Sequence, residues 1–529
     1  MRNSLYSVAF DEALEAVGGH DRYQFQLLLL ALVFSSAIGA TLQSLDFMTL
    51  DEAQKEGFGE GNPWEFEPVK DLFFLGMACG ALLFGVLVDL MGRRKCLQIT
   101  VFLAMVSSAV ISASLDSILL FLFAPLSGCS VAGSLLSMVL AVVEVTDSLY
   151  RLRTFAVVIR AVVVSYSVLG LVGLLLLKWR VLWMVAALFW ACCLPLTQYL
   201  LESPRYLAVV IGKYSQARVV LQEIAAINQK PAFNGMLEGE KVIGYQEPSA
   251  QEVPDSTVSN PDVSRKLAFS PITTGIVSVS QGETTHVKRY FYWDLAVLGS
   301  VRAHCGGCGV LWVCLTCAQC SLVQGNERLL EYGAAVGVVV GCWGLLLLAQ
   351  RIGRVHTMLL AFIFTGISAL TGLILTNSAC HSPLICKLHT VFSISASFAA
   401  LIGAFSAQCI FLLYTIERFP SAIRSLILAT ALALWAAINS LFPFVQSLLV
   451  NFGLNAVLLS SLVLLCACPL LCLLRETLGE DLSDYVQEEQ EEMKKPADLS
   501  QIEVRNPSPL GTPQRQGNPF SFEPINEEH

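Results

Sequence analysis

The sequence predicts an all-α polytopic membrane protein: two six-helix bundles with 12 transmembrane helices. Three observations carry that prediction. Charged residues are only 14% and hydrophobic residues 55% of the 529-residue chain, whereas soluble domains carry about 25% charged residues. Uncharged apolar runs recur along most of the chain, each near the ~20 residues that a helix needs to cross the hydrocarbon layer. Lys and Arg, finally, collect on one side of the path those runs describe.

Residues 1–23 form a cytoplasmic N-terminal segment, acidic and amphipathic between Phe10 and Tyr23. The first apolar run lacks a small-residue cleavage site, so it reads as a retained helix. Spans at 24–44, 71–88, 96–115, 118–141, 155–177 and 181–200 make the N-terminal six-helix bundle, 24–200. A polar stretch, 201–302, is the cytoplasmic linker. It opens with an amphipathic helix from Pro204 to Asn228, where Leu207, Val210, Ala217, Val220, Leu221 and Ile224 recur at helical spacing, and then turns rich in Pro, Ser, Thr and charge. Spans at 303–323, 330–349, 355–376, 391–415, 425–447 and 455–474 make the C-terminal bundle, 303–474. The tail, 475–529, has an acidic run and a Pro-rich end without apolar periodicity, and is expected to be disordered.

The formal charge of −9 does not set orientation; the location of Lys and Arg does. With both termini in the cytoplasm, Lys55, Lys70, Lys178, Arg180, Arg328 and Lys387 fall outside and Arg160 falls within a span. All the other Lys and Arg are then cytoplasmic. Most of the 17 cysteines lie within spans, where Cys packs as a small apolar residue. Only Cys380 and Cys386 sit together near a predicted external loop, where a bridge can form but nothing forces one. Cys305, Cys308, Cys314, Cys317 and Cys320 share the seventh span, but a helix presents too few of them together for the closed four-ligand set of zinc. No metal or cofactor is therefore expected, nor any nucleic-acid partner. The chain has no Walker loop, metalloprotease helix or nucleophile elbow, so neither an ATP-driven pump nor an enzyme has residue support.

The sharpest local signal is Asp89-Leu-Met-Gly92-Arg93-Arg94-Lys95 after the second span. A tight turn needs Gly, and the cations there can bind helix C-termini and neighbouring acids; the plainer reading is a set of positive-inside anchors. Arg351-Ile-Gly353-Arg354 repeats the pattern after the eighth span.

Asp-x-x-Gly-Arg-Arg resembles the signature loop of the major facilitator superfamily. Other stretches resemble, more narrowly, its organic cation, anion and zwitterion transporter family, solute carrier family 22. These are Trp179-Arg180, Glu202-Ser203-Pro204-Arg205-Tyr206-Leu207, Glu144 with Tyr150-Arg151, and Tyr414-Thr-Ile-Glu417-Arg-Phe-Pro420 with Arg424. The resemblance covers about residues 10–480, and synaptic vesicle relatives share parts of it. It implies a plasma-membrane carrier of a small organic solute working by alternating access. It also implies that Asp89, Arg93, Glu144, Arg151, Glu202, Arg205, Arg354, Glu417 and Arg424 form a cytoplasmic charge network that locks the outward-open state, with Gly92, Arg94 and Arg351 in its two loops. Ion pairs that form in one state and separate in the other make a bistable element.

The chain also departs from the family pattern. Its second loop has Ala349 and Gln350 where an acid is expected. The external segment after the first span is short and cysteine-free. On the eleventh span, Ala436 stands where the cation branch has Asp and the anion branch Arg. The solute is then neutral or zwitterionic, or its charge is read elsewhere, or transport has been lost and the chain is a receptor or scaffold.

Arg160, about two turns into the fifth span, can read charge. An arginine at that depth is costly unless paired or hydrated. It either binds a carboxylate or sulfate bidentately, pairs with Glu144, or snorkels to the interface. Trp312, Gln319, Tyr166, Gln408, Tyr414 and Asn439 are further candidates to line the solute path, each also able to serve as an interhelical hydrogen bond or packing group. Gln43 and Asp46, at the outer end of the first span, belong to a vestibule or to an interface.

Overall fold

The computed structural model describes residues 7–8, 10–48, 67–176, 178–233, 235–237, 310–311, 313–318, 322, 344, 347–377, 383–419 and 421–478. The helices are α1 (Phe10–Ala16), α2 (Arg22–Met48), α3 (Glu67–Met91), α4 (Arg93–Ala113), α5 (Ser117–Glu144), α6 (Ser148–Leu176) and α7 (Trp179–Leu196), then α8 (Tyr214–Asn228), α9 (Arg354–Asn377), α10 (Pro383–Arg418), α11 (Ser421–Asn451) and α12 (Ala456–Leu471). Two-residue strands β1 (Ser7–Val8) and β2 (Met236–Leu237) pair in parallel.

Helices α2 to α7 coincide with the first six predicted spans and α9 to α12 with the last four. Among the described residues, nine of them are long and apolar enough to cross a membrane, and α12 is a shorter apolar helix. Most of the seventh and eighth spans, Cys305, Cys308, Cys320, Trp312 and Gln319 with them, lie outside the described residues, as do Cys380 and most of the linker and tail. Several helices overrun their apolar stretch. Helix α10 begins at Pro383 and carries Lys387 and His389, because backbone hydrogen bonding continues past the depth at which side chains must be greasy.

Side chains sort by environment. Leu83, Phe102, Leu122, Leu188 and Ile367 are about half exposed or more, an apolar perimeter of the extent that marks a membrane surface. Helix α5 is the innermost, with 83% of its apolar window buried against 35–56% in the other spans. It packs on α3 and α4, while α2 packs on α6 and α7, α9 on α10 and α12, and α3 on α11. Small residues permit the closest crossings: a Cβ on Gly128 would stand 2.0 Å from the Phe73 carbonyl oxygen, so the α3 and α5 backbones are in contact.

The linker helix differs from its prediction. In place of one helix from Pro204 to Asn228, a π-helical turn covers Tyr206–Val210, Gly212 reverses the chain at φ +75°, and α8 starts at Tyr214. Apolar periodicity alone does not register a glycine reversal. The sequence places the start of the tail at 475, yet Thr477 is buried and bonded to the bundle.

Candidate functional site

The charged residues of both loop motifs gather at one end of the bundle in two similar copies. In the first, Gly92 holds φ +94° and ψ 162° between α3 and α4, a region essentially reserved for glycine. A Cβ there would meet the Glu202 carboxylate at 2.6 Å. That carboxylate accepts from the backbone N–H of Arg93 (2.8 Å) and of Arg94 (3.3 Å), satisfying two orphan donors at the α4 N-terminus. Burial pushes the Glu202 carboxyl up, and the N–H groups of Arg93, Ser203 and Arg94 draw it back. The Arg93 guanidinium forks onto Glu144, Nε at 3.1 Å and Nη2 at 2.7 Å. Its Nη1 reaches Asp89 at 3.2 Å, and its plane lies 4.2 Å from the centre of the Tyr206 ring. Burial pushes the Tyr206 phenol up to about 12, so it stays an O–H donor to the Asp89 carbonyl, 3.1 Å away.

The second copy repeats this with other residues. Gly353 has φ +112°. Glu476 accepts from the N–H of Arg354 (2.6 Å) and Val355 (3.0 Å). Arg354 forks onto Glu417 with both contacts at 3.2 Å, and the Thr477 hydroxyl donates to Glu417 at 2.8 Å. Arg93 and Glu144 are each 1% exposed, Arg354 and Glu417 4% and 3%. Bidentate geometry is what lets such dehydrated pairs persist, since desolvating each ion otherwise costs several kcal/mol.

Contacts also cross between the two sets of helices. The Ser425 hydroxyl of α11 donates to the Asp89 carboxylate of α3, and Arg153 Nε of α6 donates to Gln350 Oε1 at 3.2 Å. Each Glu is followed seven residues later by a buried Arg, and the two sets exchange fields: Arg424 acts on Glu144, and Glu417 acts on Arg151. Arg424 donates to the carbonyls of Ile416 (3.0 Å) and Phe419 (3.3 Å) and to the Ser421 hydroxyl (3.0 Å), closing the C-terminal end of α10. Arg205 meets Asp11 at 2.6 Å. Arg94 Nη2 donates to the Gln198 carbonyl at 2.9 Å, and Arg351 is exposed.

Known proteins supply the comparison. Residues 67–282 match the family model described as "Sugar (and other) transporter". Mouse organic anion transporter 3 is 26% identical over 81% of this chain and 74% of its own length. Rat solute carrier family 22 member 7 is 31% identical over 32% of this chain and 31% of its own. The solved structure of the proton:xylose symporter XylE bound to 6-bromo-6-deoxy-D-glucose superposes with TM-score 0.57, 18% identity, over 87% of this chain and 98% of that one. A partially occluded inward open form of XylE from E. coli gives 0.54 at 15% identity, over 87% and 100% of the two chains. The chain has the major facilitator fold. Its sequence is similar to those of the solute carrier family 22 transporters.

A carrier of this fold needs a solute path, and the sequence-derived candidates for it among the described residues lie on three helices. On α6, Arg160 Nε donates to the Ala156 carbonyl at 2.9 Å, while Glu144, the pairing partner considered for it, is forked by Arg93. Tyr166, also on α6, donates to Asp46 at 2.7 Å, and Asp46 in turn holds Lys70 at 2.6 Å. Gln408 on α10 is 9% exposed, and among the described residues its Nε2 has no hydrogen-bond partner. Tyr414 is fully buried, its ring 6.4 Å from that of Phe411, in one apolar cluster with Phe84 and Val88 of α3. Asn439 Nδ2 donates to the Trp435 carbonyl at 2.7 Å. Ala436 is fully buried. Gln43 is buried, and its Oε1 has no partner among the described residues. Cys314 and Cys317 are free thiols, and no cluster of three metal-ligating side chains occurs among the described residues.

Four members of the charge cluster escape a motif reading. Glu476 and Thr477 follow the last span as Glu202 and Ser203 follow the sixth, so comparing the two half-chains would have found them. Asp11 and Ser425 carry no such signal. Gln350 was read as the loss of an acid, yet it fills the same place as an acceptor for Arg153. Gln350→Asp should turn that exposed contact into an ion pair stabilising the closed end by about 0.2–1 kcal/mol. A double-mutant cycle with Arg153→Ala on thermal unfolding measures it, and a coupling of zero would deny the contact.

Proposed function

We propose that this chain carries small organic ions or zwitterions across a membrane by alternating access, as uniport or exchange, with the charge cluster as its inner gate. One observation carries the reading: buried ion pairs in two similar copies lie at one end of the bundle, and bonds between the two sets of helices close that end. Asp89–Ser425 and Arg153–Gln350 are bonds that can break when that end opens, whereas Arg93–Glu144 and Arg354–Glu417 brace each side. The excess of Lys and Arg supports placing that end, and both termini, in the cytoplasm. The family resemblance supports the plasma membrane.

Relatives named as organic anion transporters favour an organic anion, with Arg160 its counter-charge. Arg160 Nε donates to the Ala156 carbonyl, and a guanidinium is the group that forks bidentately onto a carboxylate or sulfate. The test is uptake of labelled organic anions, cations and zwitterions into vesicles carrying wild type or Arg160→Gln. Wild type should show saturable uptake of an anion, and Arg160→Gln should reduce it on the order of tenfold, the cost of one charge-assisted contact. The rival reading, a transporter-shaped receptor or scaffold, is favoured by Ala436 at the usual charge-selecting position. Correct membrane insertion without uptake of any solute in the panel would establish the rival.

A further inference from the structure

We infer that Ser7–Val8 and residues 10–24 form a strap that holds the inner gate closed, with Asp11 as the positioning acid that neutralises its buried arginines. The inference rests on the gate reading above. It begins with a charge that needs an explanation: Arg205 is 1% exposed, and a buried cation is tolerated only when paired. Its partner comes from the far N-terminus. Asp11 Oδ1 stands 2.6 Å from Arg205 Nη2, and the neighbouring Phe10 ring lies 4.7 Å under the same guanidinium. Arg151, equally buried, lies in the fields of both Asp11 and Glu417. Arg205 and Arg151 are thus balanced in part by an acid from the strap, alongside Glu417 and Asp147 on Arg151.

The strap is built to deliver that carboxylate. Phe10, Ala13, Leu14 and Val17 are buried in the core, whereas Glu12 and Glu15 face outward. The Asn228 side chain, ending α8, donates to the carbonyls of Val17 and Gly18 at 3.0 Å each and accepts from the Tyr23 N–H at 2.8 Å. The Gly19 carbonyl accepts from the Asp147 N–H at 3.3 Å. The His20 ring stacks on Tyr150 at 4.0 Å, directly beside Arg151 in sequence. At its outer end β1 pairs with β2. The strap therefore ties the linker helix to the first turn of α6, which carries Arg151, and sets its acid against Arg205. Removing the acid takes one counter-charge away from Arg205 and Arg151, which repel one another, and opening would hydrate them.

Hydrogen–deuterium exchange of the full chain in lipid nanodiscs tests this, read at residues 84–91 and 423–430, where Asp89 meets Ser425. Asp11→Asn should speed exchange there on the order of tenfold, the loss of a charge-assisted bond. Asp11→Glu should restore it, and Glu15→Gln should match wild type. Asn228→Ala, which frees the strap without touching the arginines, should speed the same segments. It decides the matter if Asp11→Asn raises exchange throughout the chain. Glu417→Gln serves as the gate variant. If it loosens the Asp89–Ser425 seam while Asp11→Asn and Asn228→Ala loosen only the strap, the strap inference is overturned and the gate reading stands. If none of the three loosens the seam, both are overturned.

Discussion

Replacing Glu144 by glutamine should lower the unfolding free energy of the purified protein by about 3–5 kcal/mol, the cost of stranding a buried charge. The charge stranded is Arg93, 1% exposed and forked onto Glu144 by two bonds. Asp89 does not replace Glu144, since it meets only Nη1, at 3.2 Å, and is itself committed to Ser425. The sign reverses for the pair taken together. Arg93→Met with Glu144→Leu removes both charges and should recover most of the loss, because dehydrating two ions nearly cancels their attraction. Denaturation in mild detergent reads both variants. A single-variant cost no larger than that of an exposed pair, about 1 kcal/mol, would mean that Arg93 finds water. If the cluster is the inner gate proposed above, the recovered double variant should still fail to hold that end closed, which separates stability from gating.

Gly92→Ala should be nearly as harmful although it adds a single methyl group. At φ +94° and ψ 162° a side chain is strained by about 1–3 kcal/mol. The added carbon would also stand 2.6 Å from the Glu202 carboxylate, driving off the cap of the α4 N-terminus, worth about 1 kcal/mol more. Gly353→Ala should behave alike, since its Cβ would collide with Glu476. Thermal unfolding of the two variants is the measurement. If alanine is tolerated at both positions, the loops do not hold the conformation described.

The spans and the loop motifs were legible because their signals are local. An apolar run declares a membrane helix by length alone, and Gly92 and Gly353 declare their turns by the cations that follow them. The basic arginines could be nominated for the same reason. Their partners could be assigned only where the family resemblance supplied a role, and there the sequence named the acids without saying which arginine each would meet. Arg160 with Glu144 was one of three arrangements left open, and the structure gives Glu144 to Arg93.

The chain by itself therefore determined the membrane architecture, the half-chain repeat and the concentration of charge at one end, all of which follow from hydropathy and spacing over a few turns of helix. Only the tertiary structure decided that Asp11 meets Arg205 across 194 positions, that Gln350 meets Arg153 across 197 and that Glu476 caps Arg354 across 122. Those pairings depend on how helices far apart in sequence are brought side by side. A buried charge is satisfied by whichever partner packing delivers, and no local pattern records that choice.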